Sequence, residues 1–246
     1  MMIITPTSGF SAFALEPFPE IQPGDDLTAA ITGVLTRTGS ELRNGDIVVV
    51  ASKVVSIAEK RYVELAGVTP SPEAVELSAT TGKPAEIVQL ILENSTEHFL
   101  ATERGPIIAR HTLGHQLTSA GIDRAGSEGA WLLPRDPDAS ARALRHALIT
   151  CTGAEVAVVI ADSDGRADRR GATVISIGAA GITPLRITEH DGKRQEETFT
   201  DLAAAAAGVI LGQRGRGAPV AVLRGIAYTM SDEGVAAMLH HRPWPC

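Results

Sequence analysis

An apolar, β-branched run from Val156 to Ala161 ends in Asp162-Ser163-Asp164-Gly165-Arg166. A buried strand that delivers a carboxylate and then a hydroxyl offers two hard oxygens, the donors that magnesium and manganese take. Arg166, four residues after Asp162, carries the planar fork that meets a phosphate. Asp, Ser and Gly are also the commonest turn residues, so the same stretch also reads as a surface turn.

Three more polar clusters border apolar runs: Ser52-Lys53, Gly121-Ile122-Asp123, and Gly212-Gln213 with the loop to Gly217. Singly, each is a turn; together they read as strand ends converging on one site. Asp123 and Asp162 are the acids to bring together on a metal, because two close carboxylates repel and a divalent cation relieves the repulsion. Gln213-Arg214-Gly215-Arg216-Gly217 follows a helical pattern. Its glycines would let backbone N–H groups approach a phosphate, and a helix end with solvated arginines is the other reading. The P-loop pattern G-x-x-x-x-G-K-[ST], the zinc helix HEXXH and the serine elbow G-x-S-x-G are all absent. His98, His111, His115, His146, His190, His240 and His241 are expected in surface or core roles.

These clusters need elements to hold them. Asp25 or Asp26 should cap a helix through LTAAITGVLTRT that Gly39 ends. Asn44-Gly45-Asp46 should turn into IVVVAS, a strand buried on both faces. Two helices are expected within 72–96, split at Gly82-Lys83-Pro84, with Ile87, Leu90 and Ile91 facing a core. PIIARHT is a strand, DPDASARALRHAL a helix, VISIGAAG a strand, TDLAAAAAGVILG a helix and VAVLRG a strand. The strand that begins at Val156 is expected to end at Asp162, and Cys151 to lie in the core. Without strict βαβ alternation, the fold class is α+β, with mixed sheets and packed helices.

The chain of 246 residues carries a net charge of -7 and only 4% aromatics. That disfavours nucleic acid, stacking platforms and anionic membranes. No apolar run is long enough to span a membrane and MMIITPTSGF is not a secretory leader, so a cytoplasmic location is expected.

In order, GDIVVVASKVVSIAE, GIDRAG with LLPRDPDASA, VVIADSDGR with RRG and IGAAGITPL, and ILGQRGRGAPVAVLRG resemble the coenzyme F420-0:L-glutamate ligases, the γ-glutamyl ligases of deazaflavin biosynthesis. The resemblance runs from about residue 13 to about residue 230. It implies the family's α+β fold, a single ligase module over 1–246 with room for two intertwined lobes, and a homodimer. It also implies GTP as co-substrate, Mn2+ or Mg2+ with K+ as a further candidate, small carboxylate and amino-acid substrates, and a substrate acyl phosphate. Some relatives carry a C-terminal flavin-reductase-like domain, which is not expected here.

By the same resemblance, Asp123 and Asp162 are the catalytic acids that hold one metal. Ser163 matches the hydroxyl beside a second metal, and Gln213 its other protein ligand. Phe18, Pro19, Glu20, Ile21, Ser52, Lys53, Leu211, Gly212, Gln213, Arg214, Gly215, Arg216, Gly217 and Ala218 match nucleotide-contacting segments.

The chain also departs from the family pattern. Ile57 stands where the family has a nucleotide-contacting lysine, Ala125-Gly126 replace Ser-Asn, and Asp164 is an extra acid. Leu202 follows Asp201 where the family has Asp-Glu, and the segment from Pro184 to Asp201 lacks the family's D-x-x-G repeats. Three readings follow: the F420-0 ligase itself, a ligase of the same chemistry on another carboxylate and amine, and a non-catalytic ligand-binding scaffold.

Overall fold

Short β-branched runs punctuated by Asp, Gly and Pro set the elements of the computed structural model, which describes residues 9–212 and 218–240. In chain order they begin β1 (Ser11–Ala14), α1 (Leu27–Thr38), β2 (Ile47–Ala51), α2 (Ser52–Ala58), β3 (Tyr62–Glu64), α3 (Pro72–Thr81), α4 (Ala85–Glu93), β4 (Ser95–Leu100), β5 (Ile107–His111) and β6 (Gln116–Thr118). They continue β7 (Asp123–Ala125), β8 (Gly129–Trp131), α5 (Pro137–Thr152), β9 (Ala157–Gly165), β10 (Ala172–Ala180), β11 (Leu185–His190), β12 (Lys193–Thr198), α6 (Phe199–Leu211) and β13 (Val220–Arg224). The class is α+β, as the patterning implies. Among the described residues no helix is long and apolar enough to cross a membrane.

The chain divides into two units, each assembled from separate stretches: Met1–Glu59, Pro134–Asp162 and Val174–Met238 in the first, Lys60–Leu133, Ser163–Thr173 and Leu239–Cys246 in the second. The first unit is organised by the sheet β1-β13-β2-β9-β10. β13 pairs antiparallel with β1 and β2, whereas β2 and β9 run parallel, with Ala51 opposite Ala161. Ile47, Val48, Val49 and Val50 are completely buried, as the absence of polar alternation requires. One face of the sheet meets α6 through Ala203, Ala204 and Ala207, whose small side chains let the helix approach closely. Asp26 caps α1 by accepting from the amides of Thr28 and Ala29, and Gly39 closes it.

Further acids hold this unit from within. Asp46, 1% exposed, takes a two-pronged grip from Arg224 at 2.9 and 2.8 Å and also accepts from the Arg43 amide. Asp138, in the first turn of α5, accepts from the amides of Ala179, Val235 and Ala236. Cys151 is exposed, not in the core. It sits in the last turn of α5, past the buried stripe Pro137, Ala141, Leu144 and Leu148.

The second unit contains the sheets β3-β8-β7 and β4-β5-β6 with α3 and α4. Ile87, Val88, Leu90 and Ile91 of α4 pack with Ile107, Ala109, Ala120 and Ala130. His111 and His115 are buried here, the core role expected of some of the histidines. The Leu113 amide donates to Nδ1 of His111. Burial, then the charges of His115 and Arg61, push His111 down from 6.5 to about 4. Below pH 6.5 the unfolded chain takes up a proton at this position that the folded chain refuses until about pH 4. Stability should therefore be complete above pH 6.5 and fall by about 3 kcal/mol as the pH drops to about 4. Urea melts across that range should show the slope, and His111→Asn, which keeps an acceptor for the Leu113 amide, should flatten it.

Candidate functional site

In the first unit the candidate residues lie just past the last rung of the parallel ladder between β2 and β9. Because Ala51 and Ala161 are in register, the chain presents Ser52 and Asp162 on neighbouring rungs. The hydroxyl of Ser52, a residue 4% exposed, donates to Oδ1 of Asp162 at 2.6 Å. Asp162 is half-buried. β2 passes directly into α2 at Ser52, while β9 runs on beyond Asp162. Lys53 is exposed in the first turn of α2, and Ile57 is half-buried farther along it.

In the second unit Asp123 opens β7, opposite Trp131 of β8, and is half-buried. The turn before it is strained. Ser119 and Ala120 have φ of 54° and 51°, and Gly121 has 67°. Left-handed backbone costs a non-glycine residue on the order of 1 kcal/mol and is commonly retained beside functional groups. At Gly121 a Cβ would lie 2.8 Å from Leu133, so no side chain fits. The sequence had singled out Gly121-Ile122-Asp123 as a cluster, but not the strain in front of it.

The strand expected to stop at Asp162 continues through Ser163 and Asp164 to Gly165. The extra acid is the reason. Asp164 is buried and accepts from the Thr118 amide at 3.0 Å. The Thr118 hydroxyl meanwhile donates to the Gly165 carbonyl and accepts from the Gly165 amide, both at 3.0 Å. These bonds keep the chain extended where the Asp-Ser-Asp-Gly composition suggested a turn. Ser163 is exposed on this strand, and Arg166 just beyond it is exposed too.

The remaining residues expected at a nucleotide fall into three groups. Phe18 is half-buried, and Pro19, Glu20 and Gly212 are exposed. Ile21, Leu211 and Ala218 are buried, so they could meet a ligand only through their backbone. Gln213, Arg214, Gly215, Arg216 and Gly217 lie outside the described residues.

Asp123 belongs to the second unit and Asp162 to the first, and the Ser52 hydroxyl is bonded to Asp162. Among the described residues no three His, Cys, Asp or Glu side chains cluster as a cage. Asp123, Asp162 and Ser163 each offer hard oxygen donors of the kind magnesium or manganese takes, and Mg2+ usually takes one or two carboxylates plus phosphate oxygens. An oxygen-only donor set without Cys or His is less typical of zinc, whose sites usually include one or both.

The model of the family F420-0:Gamma-glutamyl ligase matches residues 17–225. A coenzyme F420:L-glutamate ligase of Methanothermobacter thermautotrophicus is 36% identical over 245 residues, covering 95% of this chain and 97% of that protein. One of Archaeoglobus fulgidus is 38% identical over 87% of each chain. One of Halobacterium salinarum is 37% identical over 87% of this chain and 86% of its own.

Proposed function

The chain belongs to the F420-0:gamma-glutamyl ligase family, and from that premise we propose that it is a GTP- and divalent-metal-dependent ligase that joins L-glutamate to F420-0 through an amide bond. The observation that carries this reading is the Ser52–Asp162 pair just past the parallel ladder of β2 and β9, within a chain that aligns with these ligases almost end to end. In the reaction, a carboxylate oxygen of F420-0 attacks the γ-phosphorus of GTP, the β–γ bridge breaks and GDP leaves. The glutamate amine then attacks the acyl phosphate carbon, expelling phosphate and releasing its proton to solvent.

Bound Mn2+ or Mg2+ would neutralise the phosphate charge that otherwise repels the incoming carboxylate. Asp123 and Asp162 would hold one metal, Ser163 and Gln213 a second, and K+ is compatible with the same oxygen donors. Ser52 and Lys53 would meet the nucleotide, as would the backbone of Phe18–Ile21 and of the segment 211–218. No cysteine or histidine forms a bond to the substrate in this scheme, consistent with Cys151 on the outside and His111 buried and neutral. The active form is proposed to be a cytoplasmic homodimer without nucleic-acid partners.

Phosphate release tests the scheme: with GTP, Mn2+ and F420-0 present, it should rise steeply only when glutamate is added. Release that ignores glutamate would contradict amide formation. A second reading, a ligase for another carboxylate and amine, is favoured by the segment from Pro184 to Asp201, which lacks the family's D-x-x-G repeats; Ile57, an aliphatic side chain where the family pattern has a nucleotide-contacting cation, bears on the nucleotide. Ile57→Lys should tighten GTP binding roughly tenfold in calorimetry, the magnitude of one charge-assisted phosphate contact. Unchanged affinity would mean that the nucleotide does not approach this turn of α2.

A further inference from the structure

We propose that Thr118 is a positioning residue for the metal ligands of the second unit, clamping the strand end that carries Ser163 to the strained turn that presents Asp123; this rests on the reading of Asp123 and Ser163 as metal ligands. Three hydrogen bonds make the clamp. The Thr118 amide donates to Oδ1 of Asp164 at 3.0 Å. The Thr118 hydroxyl uses both of its capacities, donating to the Gly165 carbonyl and accepting from the Gly165 amide, each at 3.0 Å. Thr118, Asp123, Ser163, Asp164 and Gly165 all belong to the same unit.

Each side of the clamp leads to a ligand. Along β9 successive side chains point to opposite faces. Asp164 is buried and bonded to Thr118, so Ser163 is turned to the other face, where it is exposed. A Cβ on Gly165 would lie 2.5 Å from Oγ1 of Thr118, so only glycine lets the hydroxyl reach the backbone there. On the other side, Thr118 ends β6 opposite the buried Ile108 of β5. The chain then passes through Ser119, Ala120 and Gly121, all left-handed, and the Ile122 amide donates to the Ser119 carbonyl at 3.0 Å. Asp123 comes next. A turn of this kind persists only where its surroundings over-determine it. Ala120, fully buried in the core built on α4, anchors its middle, and Thr118 anchors its entry. The extra acid at 164 thereby joins the frame of the site. Partners that orient metal ligands commonly change metal affinity by about ten- to a hundredfold.

The experiment measures Mn2+ binding to the full chain without nucleotide, by loss of the free-ion paramagnetic resonance signal, well below the melt of each variant. It compares wild type, Thr118→Val, Thr118→Ser, Gly165→Ala and Asp123→Asn. Thr118→Val keeps the shape of the side chain and the amide bond to Asp164 but removes both hydroxyl bonds; Thr118→Ser keeps all three; Gly165→Ala forces the hydroxyl off the backbone. The expected result is Mn2+ binding roughly tenfold weaker in Thr118→Val and Gly165→Ala, and within about threefold of wild type in Thr118→Ser. Should Thr118→Val not fold, Gly165→Ala carries the comparison; if neither folds, the clamp serves the fold and not the site, and the proposal falls. Thr118→Val binding Mn2+ as wild type does, while Asp123→Asn does not, would overturn the positioning role and leave the metal reading standing. So would Thr118→Ser as weak as Thr118→Val, since the hydroxyl would then not be what matters. Wild type that binds no Mn2+, or Asp123→Asn that binds it as wild type does, would overturn both.

Discussion

Asp162→Asn should reduce ligase turnover by roughly a thousandfold or more, because phosphoryl transfer depends on positioned charge and the scheme has no protein nucleophile to fall back on. The amide keeps the size of the carboxylate and an oxygen that can still accept the Ser52 hydroxyl. Thermal stability should therefore stay within about 1 kcal/mol of wild type, since the substitution removes charge and not packing. The pairing of lost turnover with a preserved melt is the signature expected. Measurable turnover at a tenth of wild type would mean that this acid does not hold the metal. A collapsed melt would mean that its role is structural.

A larger stability effect is expected elsewhere. Asp46→Ala should cost about 2–3 kcal/mol, the loss of charge-assisted hydrogen bonds to Arg224, whose side chain is 26% exposed, and of the acceptor for a part-buried amide. Asp46 is 1% exposed, holds Arg224 at two points and accepts from the Arg43 amide, so its loss removes three hydrogen bonds at once, although one Arg224 nitrogen keeps the Glu41 carbonyl. Arg224 also lies 5.3 Å from the centre of the Phe13 ring, tying β13 to β1. The melting temperature should fall by roughly 10 °C for a chain of this size. The double variant Asp46→Leu with Arg224→Met should recover a good part of the loss, because apolar replacement of both partners leaves no stranded charge. A melt unchanged by Asp46→Ala would show that the pair contributes little.

Much of the fold is legible in the residues because local signals agree with burial. Asp26 and Gly39 bracket α1, Gly82-Lys83-Pro84 separates α3 from α4, and the unbroken apolar run at 47–50 is buried on both faces. The hairpin of β11 and β12 escaped notice. Nearly all of its residues are exposed, so no alternation of apolar and polar side chains marks it. Its one signal is Asp191-Gly192, whose φ values of 50° and 72° suit the tight turn that joins twisted strands. Cys151 misled because an apolar strand follows it closely, yet it lies past the buried stripe of α5.

At the site, single residues were legible and their partnerships were not. Asp162 stands out at the end of an apolar run, but its bond to Ser52 spans 110 positions and exists only through parallel strand register. Asp164 looked like part of a turn, whereas burial and the Thr118 amide make it a strut. Long-range hydrogen bonds of this kind leave no periodic trace in sequence.

The central claim is amide formation between F420-0 and glutamate. Its most direct test is mass spectrometry of F420-0 incubated with the purified chain, GTP, Mn2+ and glutamate. The account predicts an added mass of one glutamyl residue, or successive additions of it, that appears with wild type and is missing when GTP or metal is omitted or when Asp162→Asn replaces wild type. F420-0 recovered unchanged by protein that binds both GTP and Mn2+ would contradict it.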